Sequence, residues 1–244
     1  IYKSPLVIRM IIGRGWGQGP QHSQSLESLF AHIPGLKVIA PSNAKNAKGL
    51  LIASIKDNNP VIFFEHRWLH HTYGHVPIGS YEESLDKSKK IKNGEDITLI
   101  SFSFGTIECI KTAKILEKFK ISVEIIDLIS LRPLDLSKAY KSLIKTKKVI
   151  IVENGWTAYG IGAEILSNLT EKISSKIKFD SKRMGLLDVP MASSRSLANH
   201  MYSDPYKIGN EILKMLNMKS QIIINELKKY KSNDIPDLSF KGPF

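Results

Sequence analysis

Uniformly apolar runs of strand length alternate along this chain with segments whose apolar residues recur at helical spacing. The candidate strands are PLVIRMII, LKVIA, PVIFFE, DITLISF, SVEIIDL and KVIIVE. Between the first two, the segment HSQSLESLFAHI places four apolar side chains on one helical face: Leu26, Leu29, Phe30 and Ile33. Strands that are apolar on both faces need helices on both sides, so the pattern predicts an α/β fold built on mostly parallel sheet.

One stretch, HTYGHVPIGSYEESLDKSKKIKNGED, interrupts this alternation with glycine, proline and a run of charge. We therefore predict a first domain over residues 1–74, a linker over 75–94, a second domain over 95–216 and a C-terminal extension over 217–244. The extension is expected to form one more helix, up to about Tyr230. The first domain offers too few strands and helices for a complete α/β layer, which predicts that the native chain begins upstream of residue 1.

Composition argues against several function classes. No apolar run approaches the length of a membrane-spanning helix, and the first residues lack a secretory signal, so we expect a cytoplasmic protein that does not enter a membrane. The lysine- and isoleucine-rich composition is also compatible with an organelle. The net charge of +12 comes from scattered lysines, which predicts solvated surface and no nucleic-acid partner. Cys109 lies in a helical pattern and is expected to be a packed, uncatalytic thiol.

The segment GRGWGQGPQHSQS, residues 13–25, carries glycine at alternate positions. A dinucleotide fingerprint requires G-x-G-x-x-G at the start of a helix, and a Walker loop requires a Lys-Ser/Thr pair after its last glycine. Neither pattern is present, and Pro20 lacks an N–H donor where a phosphate would need one. We therefore predict a flexible loop over a cavity rather than a phosphate cradle.

The same segment places His22 close to a predicted helix. Ser23 or Ser25 is expected to cap that helix, with Glu27 in its first turn. A histidine just before a helix N-terminus meets a positive potential that favours the neutral ring, which can accept or relay a proton. From the residues alone, a purely structural hydrogen-bonding role for His22 stays open.

A longer string closely resembles a known family. The residues QHSQSLESLFAHIPGLKVIAPSNAKNAKGLLIASIKDNNPVIFFEH are similar to the beta subunit of thiamine-diphosphate-dependent 2-oxoacid dehydrogenases. Further on, IDLISLRPLD and VIIVENGWTAYGIGAEI resemble motifs of the family's second domain, so the resemblance covers about residues 4–216. It implies part of a transketolase-like pyrimidine-binding domain followed by a transketolase C-terminal-like α/β domain.

The resemblance also implies cofactors and partners. Thiamine diphosphate would lie between subunits, with its diphosphate and magnesium held by an alpha subunit and its aminopyrimidine by this chain. The implied partners are that alpha subunit, a second beta subunit within an alpha-two beta-two assembly, and a dihydrolipoyl acyltransferase core. The implied reaction is the oxidative decarboxylation of a 2-oxoacid, with pyruvate as the first candidate, and transfer of the acyl group to a lipoyl acceptor.

Individual residues follow from the resemblance. His22 matches the family's active-site histidine, which is proposed to position the substrate carboxylate or to handle protons and the lipoyl group. Four positions match a structural potassium site: Leu6, Ser54, Asp57 and Asn59. Oxygen ligands suit a hard alkali cation, and helix termination by Asn and Pro in DNNP is a compatible alternative reading.

A further position is expected to be missing. The family glutamate that contacts the aminopyrimidine lies upstream of anything matching residue 1, and neither Glu27 nor Glu65 occupies an equivalent position. The chain as it stands is therefore expected to be inactive by itself.

Two segments depart from the family pattern. DVPMASSRSLAN has other residues where the family often has a second proline and, after Leu, an acidic residue. RWLHHTYGHVP carries His70, His71 and His75. Three histidines could bind a transition metal, but variation on the substrate side is favoured, and it places pyruvate in doubt. Two alternatives stay open: a transketolase-like thiamine enzyme of a biosynthetic cluster, against which QHSQS argues, and a non-catalytic scaffold subunit, which requires a native start near residue 1.

Overall fold

The computed structural model describes residues 3–14, 17–70 and 72–231, which form two β-sheets and the helices around them. The strands are β1 Val7–Ile12, β2 Lys37–Ile39, β3 Val61–His66, β4 Lys89–Lys92, β5 Ile97–Ser101, β6 Val123–Asp127, β7 Ser130–Arg132, β8 Lys148–Trp156 and β9 Asp180–Leu186. The α-helices are α1 Gly19–His22, α2 Glu27–Ala31, α3 Ala44–Lys56, α4 Ser103–Glu117, α5 Ser137–Thr146, α6 Ile161–Ile173, α7 Arg195–Ala198, α8 Pro205–Met215 and α9 Gln221–Lys228.

Both sheets are mostly parallel, which confirms the predicted α/β class. The first has the order β1-β3-β2-β7 and the second the order β4-β6-β5-β8-β9. Within the first, β1 and β2 both pair in parallel with β3. The antiparallel members are β7, which pairs with β2, and β4, which pairs with β6. Because β7 follows β6 along the chain, the second unit of the sequence contributes a strand to the sheet of the first.

A single apolar cluster joins the two sheets. Phe64 of β3 belongs to the same buried cluster as Ile100 of β5, Leu143 of α5 and Leu169 of α6. The segment between the two units is ordered as well, because Leu85 packs in the core of the first unit and Lys89–Lys92 forms β4. The two units therefore share packing contacts and are joined by more than the connecting segment.

The described part of the C-terminal extension folds back onto the second unit. Ser220 caps α9 by accepting a hydrogen bond from the Ile223 N–H at 3.4 Å. Leu227 lies so close to Gly209 of α8 that a Cβ at position 209 would overlap it. Glycine at that position lets the two helices approach closely.

Two further expectations can be compared with these ranges. None of the helices in the described part of the chain is long and apolar enough to cross a bilayer.

Cys109 is buried in α4, and this burial raises the pKa of its thiol well above the ordinary value. A thiol held in the protonated form is a poor nucleophile, so Cys109 is a packing residue.

We expect Leu143→Ala to lower the free energy of unfolding by about 2–5 kcal/mol, because truncating a buried leucine loses apolar contacts and leaves a cavity. Leu143 is 0% exposed in α5, whereas the neighbouring Ile144 is 47% exposed. Ile144→Ala is the matched control and should cost less than about 1 kcal/mol. Urea unfolding of both variants measures the difference, and equal losses would show that α5 does not pack as described.

Candidate functional site

The described residues of the glycine loop, between β1 and α1, make close contacts with other parts of the chain. Gly13, Gly17 and Gly19 have φ angles of 90°, 75° and 64°, a region that favours glycine. The Gly13 N–H donates to the Gln24 carbonyl at 2.9 Å, which closes the loop. A Cβ at Gly13 would overlap the His66 ring, and one at Gly19 would overlap the Ser193 hydroxyl. The glycines therefore allow the loop to lie against β3 and against the segment before α7.

His22 is the last residue of α1, and its side chain is exposed. The predicted position of His22, just before a helix N-terminus, is therefore wrong. Pro20 lies in the first turn of α1, so a helical turn begins earlier than expected and His22 lies at its C-terminal end. The helix that was predicted to begin directly after His22 is α2, and it begins only at Glu27.

The predicted helix cap is also wrong. The helix α2 begins at Glu27 after Leu26, whose side chain makes no capping hydrogen bond. Ser23 and Ser25 are both buried rather than capping α2. Glu27 does lie in the first turn, as predicted.

A cluster of aromatic side chains holds the start of the glycine loop. The Arg14 guanidinium lies 4.4 Å from the ring centroid of Trp68, 5.0 Å from that of Phe104 and 4.4 Å from that of Tyr202. Such cation–π contacts stabilise a buried guanidinium. His66 stacks on Phe104 with 4.6 Å between centroids, and burial, together with nearby cations, lowers the pKa of its imidazole well below the ordinary value. The start of the loop therefore packs on the neutral His66, and Arg14 lies among three aromatic rings. Neither residue was predicted from the sequence as part of the site.

Glu27 of α2 and Glu153 of β8 are buried carboxyl groups, one from each unit. Burial raises the pKa of Glu27 to about 7 and that of Glu153 to about 8, and the charge of Glu27 adds to the effect on Glu153. The Gly162 N–H donates to Glu153 Oε2 at 3.1 Å. Neither Glu27 Oε1 nor Glu153 Oε1 has a hydrogen-bond partner among the described residues. Glu153 lies inside the VIIVENGW motif, which the sequence analysis used only for the resemblance.

This pair makes stability depend on pH in a defined direction. Both folded-state pKa values lie above the ordinary 4.5, so the pair's contribution is fully present below about pH 4.5 and is lost as the pH rises towards 8. Glu153→Gln removes one titrating group, and we expect it to recover about 2 kcal/mol of unfolding free energy at pH 9 relative to pH 5. Denaturant unfolding across that range measures the effect. The exposed Glu171→Gln is the control, and identical pH profiles for the two variants would contradict the assignment.

The four residues matched to a potassium site come together in the structure. The Val61 N–H donates to the Leu6 carbonyl at 2.8 Å, which sets the start of β1 beside the DNNP turn. The Asp57 N–H donates to the Ser54 carbonyl at 3.3 Å, and Asp57 Oδ1 accepts from the Asn59 N–H at 2.8 Å. All four residues therefore surround one turn between α3 and β3.

The charge at that turn is already partly balanced. Lys37 forms an ion pair with Asp57 Oδ2. Although burial would raise the pKa of Asp57, the hydrogen bonds from Lys37 and Asn59 lower it overall. A potassium ion at this turn would therefore depend on backbone carbonyl oxygens more than on the carboxylate.

The histidine-rich segment is partly engaged in an ion-pair network. His70 Nε2 lies 3.3 Å from Glu65 Oε2, and Arg9 Nε lies 2.6 Å from Glu65 Oε1. Although burial raises the pKa of Glu65, hydrogen bonds from His70 and Arg9 lower it to about 2. His75 is exposed, and His71 lies outside the described residues. Across the described ranges, no group of three or more His, Cys, Asp or Glu side chains is arranged to hold a metal ion.

Comparisons with known proteins identify both halves of this arrangement. The family model "Transketolase, pyrimidine binding domain" matches residues 2–71, and "Transketolase, C-terminal domain" matches residues 86–208. A solved structure titled "Split gene transketolase, inactive beta4 tetramer" superposes with a TM-score of 0.70 over 89% of this chain and 68% of that one. At 20% identity, that likeness supports the fold alone.

Curated relatives define the family more closely. The chain is 37% identical over 89% of its length to "Pyruvate dehydrogenase E1 component subunit beta" of Porphyra purpurea. It is 35% identical over 72% of its length to "Acetoin:2,6-dichlorophenolindophenol oxidoreductase subunit beta" of Cupriavidus necator. The chain belongs to the transketolase-type family of 2-oxoacid dehydrogenase E1 beta subunits, which confirms the predicted resemblance. It spans 66% of the first of these relatives and 52% of the second.

Proposed function

We propose that this chain is part of the beta subunit of a thiamine-diphosphate-dependent 2-oxoacid dehydrogenase. With an alpha subunit, that enzyme decarboxylates pyruvate or a related 2-oxoacid oxidatively and passes the acyl group to a lipoyl acceptor. The observation that carries the proposal is the exposed His22, which the closed glycine loop presents at the end of α1. The similarity to pyruvate dehydrogenase E1 beta subunits supports the same reaction.

The residues fit one wall of a cofactor site better than a phosphate cradle. The Gly13 N–H is taken by Gln24, and Pro20 has no N–H to give. The proposal accordingly assigns the diphosphate and its magnesium to the alpha subunit and a position beside the reacting groups to this chain. When bound, thiamine diphosphate supplies the electron sink for decarboxylation.

Within that site, two chemical roles are open to His22. Its ring nitrogens can donate a hydrogen bond to the substrate carboxylate, or they can move a proton to or from the reacting group. Its exposure leaves the ring accessible to groups that a second polypeptide holds. Gly19, at the start of the same helix, lies so close to the Ser193 hydroxyl that a Cβ there would overlap it, which supports a defined position for α1.

The proposal includes a potassium ion at the turn between α3 and β3. Its ligands are carbonyl oxygens of the residues matched to the family site: Leu6, Ser54, Asp57 and Asn59. The observation in favour is that the turn gathers all four. Because Lys37 already balances Asp57, we expect the ion to bind weakly.

The proposal also extends to assembly and compartment. A second beta subunit and a dihydrolipoyl acyltransferase core are the proposed further partners. The cytoplasm is the proposed location, with an organelle as the alternative, since a relative from Caenorhabditis elegans carries "mitochondrial" in its name.

The test is a reconstitution of the full-length native chain with its alpha subunit, thiamine diphosphate and magnesium. We expect release of carbon dioxide from at least one 2-oxoacid in a panel that includes pyruvate and branched-chain 2-oxoacids, with acetoin added as a separate substrate. Neither subunit alone should release any. A full-length pair that turns over no member of the panel would contradict the proposal and would favour a non-catalytic scaffold.

A further inference from the structure

The buried carboxyl pair borders a pocket between the two units that the proposed reaction does not use. Ser25 and Glu27 come from the first unit, and Glu153 comes from β8 of the second. Three side-chain oxygens there are buried without a hydrogen-bond partner among the described residues: Ser25 Oγ, Glu27 Oε1 and Glu153 Oε1. Unsatisfied buried polar groups are costly, so a site that holds three of them favours a ligand that can form hydrogen bonds with them.

The shape of the pocket indicates the kind of donor. Its volume is about 190 Å³, below the roughly 300–1,000 Å³ of pockets for drug-sized ligands, so it suits a group the size of one side chain. Apart from the carboxyl groups and Ser25, its walls are largely apolar, with Leu26, Phe102 and Trp156 among them. Apolar walls above a carboxyl floor complement an alkyl stem that carries a positively charged head.

The rim of the pocket is open to a ligand. Tyr159 is 96% exposed and Leu29 is 60% exposed, and both line the pocket. Tyr159 also has a φ angle of 55°, a conformation that a non-glycine residue adopts only at some cost. An exposed aromatic side chain above buried carboxyl groups can cover the stem of an incoming group.

Two described arginines of the second unit donate hydrogen bonds to backbone carbonyls rather than to the carboxyl pair. The charge of Arg183 on β9 offsets part of the rise in the pKa of Glu153. Arg183 Nη1, however, donates to the Thr157 carbonyl at 2.8 Å. Arg132 of β7 donates to the Ala31 carbonyl at the far end of α2, at 2.9 Å. Within the described ranges, neither Glu27 nor Glu153 therefore has an ion-pair partner.

From this geometry we propose that the pocket between α2 and β8 binds an alkyl-borne organic cation, a guanidinium or primary ammonium group, on Glu27, Glu153 and Ser25. The cation has two sources with the same chemistry: an arginine or lysine side chain of an assembled partner, or a free small amine. The proposal is independent of the decarboxylation reaction, because neither carboxyl group has been given a role in it.

Trp156 lines the pocket and provides a direct readout. We expect n-butylguanidinium to change the tryptophan fluorescence of the 244-residue chain saturably at pH 8.5, whereas the neutral analogue n-butylurea does not. Binding requires deprotonated carboxyl groups, so the affinity should fall at least about tenfold at pH 6. The same ligand should also raise the melting temperature of the chain. Trp156→Phe should abolish the fluorescence change but keep this rise in melting temperature.

Two variants and one control test the residues. Glu27→Gln and Glu153→Gln should each weaken n-butylguanidinium binding by about tenfold or more, while Glu171→Gln should bind like the parent. Glutamine keeps the shape of the side chain without a charge, and circular dichroism is the check that each variant folds. Absence of any response to n-butylguanidinium, or unchanged affinity in both pocket variants, would overturn the proposal and leave a structural pair of protonated carboxyl groups.

The assembled protein isolated from its native cell separates the two sources. A pocket that responds to n-butylguanidinium in the separately purified full-length chain, but no longer responds in the assembly, identifies a partner's side chain as the occupant. A response in both identifies a free small cation. Failure of the decarboxylation assay affects neither result, so the two proposals stand or fall separately.

Discussion

His22→Ala in the full-length beta subunit is expected to reduce the turnover of the reconstituted enzyme by about 10²–10⁴-fold, the range that loss of a proton-transferring side chain produces. The substitution should leave the fold intact, because His22 is exposed at the end of α1 and no core packing depends on it. Steady-state kinetics with the best 2-oxoacid measures the effect. A loss confined to kcat indicates proton transfer, whereas a rise in KM indicates that the ring positions the substrate carboxylate.

The matched control is His32→Ala. His32 is also exposed and caps the C-terminal end of α2, a short distance along the chain from His22. It should leave turnover within about twofold of the parent, as surface substitutions away from a site usually do. Equal effects of the two substitutions would contradict a specific role for His22.

Gly13→Ala is expected to lower the free energy of unfolding by about 3 kcal/mol. Part of this loss, about 1–2 kcal/mol, is the cost of a left-handed backbone for an L-residue at a φ angle of 90°. The rest arises because the new Cβ would overlap the His66 ring, which is itself buried and stacked on Phe104. Thermal or denaturant unfolding measures the total.

Gly35→Ala separates the two causes. Gly35 has nearly the same φ angle, 89°, but a Cβ there would meet nothing within 4 Å. It should therefore lose only the backbone part, about 1–2 kcal/mol. Equal losses at the two positions would show that the loop does not press against His66 and that the glycine pattern serves conformation alone.

The fold was predictable from the sequence wherever burial alone decides the structure. β3, β5, β6 and β8 are largely buried and mostly apolar, and this condition is visible in a single run of residues. The strands β4 and β7 were not predictable from such runs. KKIK and SLR are short and carry charge, and they become strands only because β6 and β2 offer them unpaired edges.

The site was only partly predictable, for a related reason. His22 was found because it lies inside a continuous motif, but its position relative to the helices was wrong, because Pro20 starts a helical turn that apolar periodicity does not reveal. Contacts such as Glu27 with Glu153, or Gly19 with Ser193, join segments that are far apart in the chain. Their chemistry depends on burial and proximity, which only the folded chain supplies.

The most direct test of the account is a structure of the full-length protein assembled with its alpha subunit and thiamine diphosphate. We expect the His22 imidazole to project into a crevice shared by the two polypeptides and to lie in contact distance of the cofactor's reactive ring. An imidazole that faces bulk solvent, remote from the alpha subunit and from the cofactor, would contradict the account.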